Sequence, residues 1–202
     1  MDRAAAQSRD LVASDRDDVV LLRGVSWQDY ERILAIRGDD PSPRLTYLEG
    51  ALEIMSPSRT HESLKSVIGR LLEVYCEEQG LDFSPYGSWT LKKKQSQRGA
   101  EPDECYVFGT DPDPSTPDLA IEVEWTSGRI DKLDVYRKLG VRELWYWREG
   151  KLQAYELRKD RYHPIRASRV IPGISLPEVM KLAKLRPTSA AIRAYRAALR
   201  AK

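Results

Sequence analysis

Residues 101–133 read EPDECYVFGTDPDPSTPDLAIEVEWTSGRIDKL, in which two apolar segments flank a stretch rich in proline and aspartate. In the second segment, residues 119–125, large apolar side chains alternate with alanine and with Glu122 and Glu124. Because successive side chains of a strand point to opposite faces of a sheet, this alternation predicts a strand whose two glutamates share one face. The first segment, residues 103–108, predicts a neighbouring strand.

Three acidic side chains would meet if these two strands pair. Asp103 opens the first strand directly after Pro102, and Glu122 and Glu124 lie in the second strand. Carboxylates inside a sheet are costly unless a cation or a hydrogen-bond donor meets them. Oxygen-rich pockets of this kind suit Mg²⁺ or Mn²⁺. The sequence therefore predicts a divalent metal site that collects these three carboxylates.

A helix is predicted directly after the acidic strand, over residues 129–139. Thr126 or Ser127 is a suitable N-cap, because a short side-chain oxygen can accept from the first backbone N–H groups of a helix. Gly140 is a suitable end, because glycine adopts the left-handed conformation that often closes a helix.

One face of this helix carries a lysine close to the acidic strand. Lys132, Tyr136 and Leu139 are spaced i, i+4 and i+7, so they lie on one face. Tyr136 and Leu139 are expected to face the sheet, which puts Lys132 at the edge of the buried face. Its ammonium is therefore expected to reach the acidic pocket.

The pair Pro102-Asp103, followed by Glu122-Val123-Glu124, resembles the PD-(D/E)xK nuclease pattern. The similarity is closer to one branch of that superfamily, the Uma-two family of restriction endonucleases, and extends over residues 44–175. The other matching segments are Tyr47-Leu48-Glu49-Gly50, Ser56-Pro57 with His61, Asp118-Leu119-Ala120-Ile121-Glu122-Val123, Asp131-Lys132, Tyr136 and Gly140-Val141-Arg142-Glu143-Leu144-Trp145.

The resemblance implies an α/β fold with a restriction-endonuclease-like core, which is a mixed β-sheet flanked by helices in the order αβββαβ. An N-terminal helix and hairpin and C-terminal helices would surround it. Hydrophobic periodicity supports the same order independently, although many mixed folds share it. Helices are predicted over residues 27–37, 61–79, 176–182 and 188–201, a hairpin over 44–55, and strands within 81–91, 141–147, 152–157 and 162–170.

The resemblance also implies a Mg²⁺-dependent endonuclease that hydrolyses DNA phosphodiester bonds, with Asp103 and Glu122 holding Mg²⁺ or Mn²⁺. The superfamily places a lysine two residues after the glutamate, whereas this chain has Glu124 there. Lys132 would then act as a migrated lysine. Two further family positions near the site are occupied here by Glu49 and His61.

Each candidate residue also has an ordinary structural explanation. Glu124 could end a strand in water, Lys132 could be a charge on the helix surface, and Glu49 could face solvent at a hairpin tip. A lone histidine such as His61 is usually structural. The missing lysine keeps open a second class of function, a catalytically silent DNA-binding or scaffold protein with the nuclease fold. RNA and small phosphodiesters also stay open as substrates.

The 202 residues are expected to form one domain with tails, because 41% apolar residues suffice for a sizeable core. Residues 1–20 are rich in alanine, arginine, aspartate and serine and are predicted to be a mobile tail. Residues 21–186 are predicted to form the nuclease-like domain, and residues 187–202 a basic C-terminal helix.

Composition predicts a cytoplasmic protein that contacts no membrane. No segment approaches the ~18 apolar residues of a membrane span, and the N-terminus has no apolar region typical of a signal peptide. Cys76 and Cys105 make no disulfide framework, which suits a reducing compartment. The formal charge of +2 is too near neutral to indicate nucleic acid by itself.

DNA is the expected partner, and two basic groups could contact its phosphates. One is the run of lysines at residues 92–94 together with Arg98, for which a solvated turn is the commoner explanation. The other is a helical face made of Arg193, Arg196 and Arg200, although most such faces are only solvated.

A homodimer is expected, because cutting both strands of DNA requires two active sites and a two-fold dimer supplies them most simply. The predicted strands at residues 141–147 and 152–157 carry several aromatic side chains. One of these strands is the predicted contact between the two copies.

Overall fold

The computed structural model describes residues 16–125 and 130–201, which form two sheets and five α-helices. The helices are α1 Trp27–Arg37, α2 Arg59–Gln79, α3 Lys132–Leu139, α4 Leu176–Leu182 and α5 Thr188–Arg200. The strands are β1 Asp18–Arg23, β2 Arg44–Leu48, β3 Ala51–Ser56, β4 Phe83–Pro85, β5 Leu91–Lys93, β6 Arg98–Ala100, β7 Glu104–Phe108, β8 Leu119–Glu124, β9 Glu143–Arg148, β10 Lys151–Arg158 and β11 Arg161–Ile165.

The larger sheet has the strand order β11-β10-β9-β8-β7-β4. Strands β4, β7 and β8 form an antiparallel series, and β8 pairs in parallel with β9. A parallel pair needs a crossover connection, and α3 supplies it. The run α2-β4-β7-β8-α3-β9 therefore confirms the predicted αβββαβ order and the mixed sheet flanked by helices.

Strand β8 is buried on both faces of this sheet. Ile121 and Val123 pack with the apolar face of α2, whereas Ala120 joins the cluster under α3. Strands with two covered faces lack polar positions that need water. Glu122 is nevertheless buried in this strand, so its charge depends on partners that the fold brings to it.

The smaller sheet has the order β1-β3-β2-β6-β5 and is built on the predicted hairpin of β2 and β3. The turn between them uses Glu49 and Gly50, whose φ angles are 45° and 88°, as two-residue hairpin turns require. Helix α1 packs against this sheet, and Tyr30 lies so close to Gly99 that a Cβ there would meet the tyrosine hydroxyl at 2.2 Å. Gly99 therefore permits this packing.

Two boundaries differ from the predictions. Strand β1, which was not predicted, begins at Asp18 inside the predicted tail of residues 1–20, and it pairs along its length with β3. Helix α3 begins three residues later than predicted, because Asp131 caps it by accepting from the backbone N–H of Asp134 at 3.2 Å. The predicted caps Thr126 and Ser127 lie outside the described residues, as do residues 1–15.

The strands predicted to form the dimer contact are not edge strands of the larger sheet. Strands β9 and β10 are interior strands of the larger sheet, paired on both sides. Trp145 and Trp147 of β9 are buried in the core. Apolar alternation marks a covered strand as readily as an exposed one, and here helices cover it.

Two of the three arginines on the predicted basic face of α5 form ion pairs with α2, and the third, Arg193, is exposed. Arg196 forms ion pairs with Glu77 and Glu78 of α2, and Arg200 pairs with Glu78. Tyr195 of the same helix is fully buried in the main core. Helix α5 therefore packs on α2 through a central tyrosine flanked by ion pairs.

Two observations concern the expectations drawn from composition. Of the five helices described, none combines the length and apolar composition that a bilayer crossing needs. Cys76 and Cys105 are buried and form no disulfide. Burial raises the pKa of both thiols to about 12, so they remain protonated and are poor nucleophiles.

Candidate active site

A small cavity of about 20 Å³ lies where the ends of β3 and β8 approach each other and α3. That volume is enough for about one water molecule or a bare cation. The polar side chains that line it are mostly carboxylates: Asp17, Glu53, Glu122 and Glu124, with Lys132 and Tyr146.

Glu122 is buried beside this cavity and has two side-chain partners from α3. The hydroxyl of Tyr136 donates to Oε1, and Nζ of Lys132 lies 3.3 Å from Oε2. Nζ of Lys132 also donates to Oγ1 of Thr46 on β2, at 2.9 Å. The ammonium therefore points toward Glu122, as the helical spacing predicted.

Tyr136 acts as a neutral donor to this glutamate. Burial raises its pKa well above the usual value, and the nearby negative charge of Glu122 raises it further. A phenol that stays protonated keeps its hydrogen bond to the carboxylate. Tyr136 therefore fixes the orientation of Glu122 without adding charge to the site.

Glu124 lines the same cavity from the end of β8. The hydroxyl of Tyr146 donates to its Oε2, and Nε of Arg148 lies 3.0 Å from its Oε1. Burial, and then the hydrogen bond to Glu124, raise the pKa of Tyr146. Glu124 is thus held at the cavity by β9 and does not extend into water.

Asp103 has different surroundings, although it is as buried as Glu122. A guanidinium N–H of Arg44 donates to Oδ1, and Nε2 of His61 lies 3.0 Å from the same oxygen. The backbone N–H of Val123 donates to Oδ2 at 2.6 Å. Asp103 is not among the residues that line the cavity of Glu122, and its carboxylate contacts Arg44 from the smaller sheet. The metal site predicted to join Asp103 with Glu122 stays a prediction.

His61 lies between two carboxylates at the start of α2. Its Nδ1 is 3.0 Å from Oδ2 of Asp17, and its Nε2 faces Asp103. Asp17 also accepts from the backbone N–H of Ser58 at 2.8 Å. Burial would raise the pKa of Asp17, but the hydrogen bonds with His61 and Ser58 outweigh it and lower that pKa.

The hairpin of the smaller sheet contributes a carboxylate that sequence reasoning missed. Glu49, the predicted residue, lies at the turn with its side chain 68% exposed and 3.0 Å from Arg98. Glu53 of β3 is only 3% exposed and lines the cavity. Glu53 lies between the apolar residues Leu52 and Ile54 of a strand. This is the same pattern that pointed to Glu122, so it could have identified Glu53 as well.

The donors around the cavity suit a hard divalent cation. Within residues 16–125 and 130–201, no three histidine, cysteine, aspartate or glutamate side chains converge closely enough to hold a metal as they stand. Four carboxylates nevertheless line the cavity, and three of them, Glu122, Glu124 and Asp17, already have a basic partner. Carboxylate oxygens are the ligands that Mg²⁺ and Mn²⁺ prefer. The side chains therefore supply the donor atoms of such a site, but not its geometry as they stand.

Comparison with known proteins adds the family. The family model of Uma2, described as a putative restriction endonuclease, matches residues 27–186. The chain belongs to the Uma2 family. A search of curated proteins finds no match. A solved structure described as a putative nuclease belonging to DUF820, from Anabaena variabilis ATCC 29413, is similar over 80% of this chain and 96% of that chain, with 14% identity and a TM-score of 0.43.

The Uma2 match spans most of the candidate site. Glu53, Glu122, Glu124 and Lys132 all lie within the matched residues 27–186. Asp17, which lines the cavity and contacts His61, lies before them. The cavity therefore combines the matched Uma2 region with a residue next to β1.

Proposed function

We propose that this Uma2-family chain is a Mg²⁺- or Mn²⁺-dependent endonuclease that hydrolyses DNA phosphodiester bonds. One observation supports this function most strongly: the buried Glu122 contacts the ammonium of Lys132 at a cavity lined by further carboxylates. A carboxylate ligand and a cationic donor side by side are what phosphodiester hydrolysis asks of a protein. Membership of a family described as restriction endonucleases supports a nuclease.

Glu122, Glu53 and Glu124 would hold the cation. When bound, the cation supplies Lewis-acid chemistry, because it lowers the pKa of a bound water and neutralises charge on the phosphate. Asp103, the second ligand inferred from the resemblance, can join only if Arg44 releases its carboxylate.

Lys132 would act on the phosphate or on the attacking water. An ammonium has three N–H donors, and its side-chain oxygen partners are Glu122 and Thr46. Nζ of Lys132 lies 3.5 Å and 3.3 Å from the two carboxylate oxygens of Glu122, so a bound phosphate oxygen would take the place of one of these contacts. There the ammonium can stabilise the negative charge that develops on the phosphate as the bond to water forms.

Cleavage of supercoiled plasmid DNA tests this function. The wild-type protein is expected to nick or linearise the plasmid with Mg²⁺ or Mn²⁺ and to stop when EDTA is added. Glu122→Gln keeps the side-chain shape but removes its charge, so cleavage should fall by about 10²-fold or more. Glu49→Gln is the matched control, because that exposed carboxylate lies outside the cavity. A folded wild-type protein that cuts with neither ion would contradict the proposal.

A homodimer would provide the two active sites that double-strand cutting requires. Since β9 and β10 are interior strands, the contact would lie elsewhere. The edge strand β1 presents Val20 and Leu22, which are 53% and 40% exposed, and it suits a second copy. Light scattering that gives a monomer at high concentration, together with single-strand nicking only, would count against a dimer.

A second candidate function has its own support. Glu124 replaces the usual superfamily lysine, and Asp103 is already satisfied by Arg44 and His61. Both features favour a catalytically silent protein that binds DNA with the nuclease fold. DNA binding by gel shift without cleavage under either ion would favour this candidate.

A further inference from the structure

A second cavity, of about 220 Å³, lies near the ends of β8 and β9. It is bounded by the first turns of α2 and by the end of α4. Its walls are mainly apolar and include Trp125, Trp147, Leu64 and Met180. A cavity of ~150 Å³ already accepts benzene, so this one is large enough for a flat heteroaromatic ring.

The two tryptophans that line this cavity stack on each other, and this indole pair is its aromatic wall. The rings of Trp125 and Trp147 are 5.0 Å apart between centroids and are inclined by only 8°. Bases stack on aromatic side chains in proteins that bind single strands, and this stacking tolerates any base because every base has a π face. A nucleobase in the cavity can extend the stack of the indole pair, whereas an aliphatic ligand cannot.

The charge at this cavity is the opposite of that at the acidic cavity. Lys184 and Arg186 carry the only charges among the described residues that line it, and both are exposed. Thr60 lies in the first turn of α2, a helix of 21 residues, whose N-terminus favours an anion. A phosphate next to a stacked base would therefore meet favourable charge.

A third cavity lies at the end of β8, between the two regions. It is lined by Glu124, which also lines the acidic cavity, and by both tryptophans. The three-residue step from Glu122 to Trp125 covers about 10 Å of extended chain, and the two side chains lie on opposite faces. A DNA strand that reaches both cavities would therefore pass around the end of β8.

We propose that the cavity at Trp125 and Trp147 binds one unpaired nucleobase of the DNA substrate. The base stacks on the indole wall, and Lys184 and Arg186 neutralise its flanking phosphate. This inference rests on the proposed nuclease function and specifies its substrate as DNA with an unpaired base. DNA with an unstacked base next to the scissile bond binds better than an unbroken duplex, because the duplex must first expose that base.

Fluorescence anisotropy in EDTA tests base binding without cleavage. The probes are a short fluorescein-labelled single-stranded DNA and an abasic oligonucleotide with the same sugar-phosphate backbone. The wild-type protein should bind the first about tenfold more tightly. Trp125→Ala should bind both at the abasic level, whereas Trp125→Phe should restore most of the difference. Trp89→Ala, which removes a partly buried tryptophan outside the cavity, should behave as wild type.

Reversal of charge at Lys184 and Arg186 provides an independent test of phosphate binding. These exposed residues can be changed to glutamate without disturbing the core, and the double variant should weaken binding of both oligonucleotides by a similar factor. Equal binding of the two probes by wild type, or base preference retained in a folded Trp125→Ala, would overturn the proposal. Base preference without cleavage would refute the nuclease alone, and cleavage without base preference would refute the base site alone.

Discussion

Asp103 and Glu122 are the two carboxylates that the sequence pattern pairs, and both are buried, yet the fold treats them differently. Asp103 is enclosed by Arg44, His61 and a backbone N–H. Glu122 has one ammonium and one phenol, and it borders a cavity shared with other carboxylates. Asp103 is thus neutralised by a guanidinium and a histidine away from the cavity, whereas Glu122 borders a cavity with further carboxylates, where a cation could meet several oxygens.

The difference arises from which sheet supplies the partners. Arg44 belongs to β2 of the smaller sheet and holds Asp103 of the larger sheet. Lys132 belongs to the crossover helix that follows the strand of Glu122. The ion pair of Asp103 therefore joins the two sheets, whereas the partners of Glu122, Lys132 and Tyr136, belong to the αβββαβ core itself.

The largest expected effect is on stability at Asp103. Asp103→Asn removes one of the two carboxylates that pair with the buried guanidinium of Arg44, the other being Glu62, and should lower the free energy of unfolding by about 3 kcal/mol. Glu122→Gln should lower it by less, about 1–2 kcal/mol, because the glutamine oxygen can still accept from Tyr136 and Lys132 and the ammonium keeps its bond to Thr46. Urea unfolding of both variants measures this. Equal losses would remove the distinction between the two sites.

Lys132→Met should lower plasmid cleavage by about 10²-fold, because it removes the one ammonium among the described residues that line the acidic cavity. Lys138→Met is the matched control, since that lysine lies on the same helix but pairs with the exposed Asp160. Initial cleavage rates at saturating Mg²⁺ measure the effect. A Lys132→Met rate equal to that of Lys138→Met would return Lys132 to a structural role.

Asp17 should give the protein a smaller, pH-dependent stability. Its pKa in the folded protein lies below the ordinary value of 3.8, so its contribution is fully present above about pH 4 and is lost as the pH falls through the folded pKa. Asp17→Asn should therefore cost about 1–2 kcal/mol at neutral pH and progressively less below pH 4. Urea unfolding across this range measures it. A difference that grows on acidification would contradict the assignment.

Glu49 should give the smallest effect. Its carboxylate is exposed and forms a surface ion pair with Arg98, so Glu49→Gln should alter the free energy of unfolding by no more than about 1 kcal/mol. Its cleavage rate should equal that of the wild type. A loss of cleavage as large as that of Glu122→Gln would restore Glu49 to the active site and displace Glu53.

Local pattern was sufficient for the larger sheet. The alternation around Glu122 and the spacing of Lys132 and Tyr136 within one helix depend only on neighbours in the chain. The same is true of the order of strands and helices, since each element carries its own periodicity. These features could be predicted because each depends on residues that are close together in the sequence.

Contacts between the two sheets could not be predicted in the same way. Arg44 meets Asp103 across 59 residues, and Thr46 meets Lys132 across 86. No periodicity encodes such pairings, so Asp103 was expected to be free for a metal. Glu53 carried the same local signal as Glu122, but only the packing of β3 against β8 shows which hairpin carboxylate reaches the cavity.

Thermal unfolding in the presence of Mn²⁺ tests most directly whether the cavity of Glu122 holds a divalent cation. An ion that binds only the folded state at about 100 times its Kd adds about 2.7 kcal/mol, or about 5–10 °C in Tm for a chain of this size. Wild type and Glu49→Gln should show this rise, and Glu122→Gln and Glu53→Gln should lose most of it. A wild-type Tm that does not change with millimolar Mn²⁺ would contradict a metal site at Glu122. An equal rise of Tm in all four proteins would contradict it too.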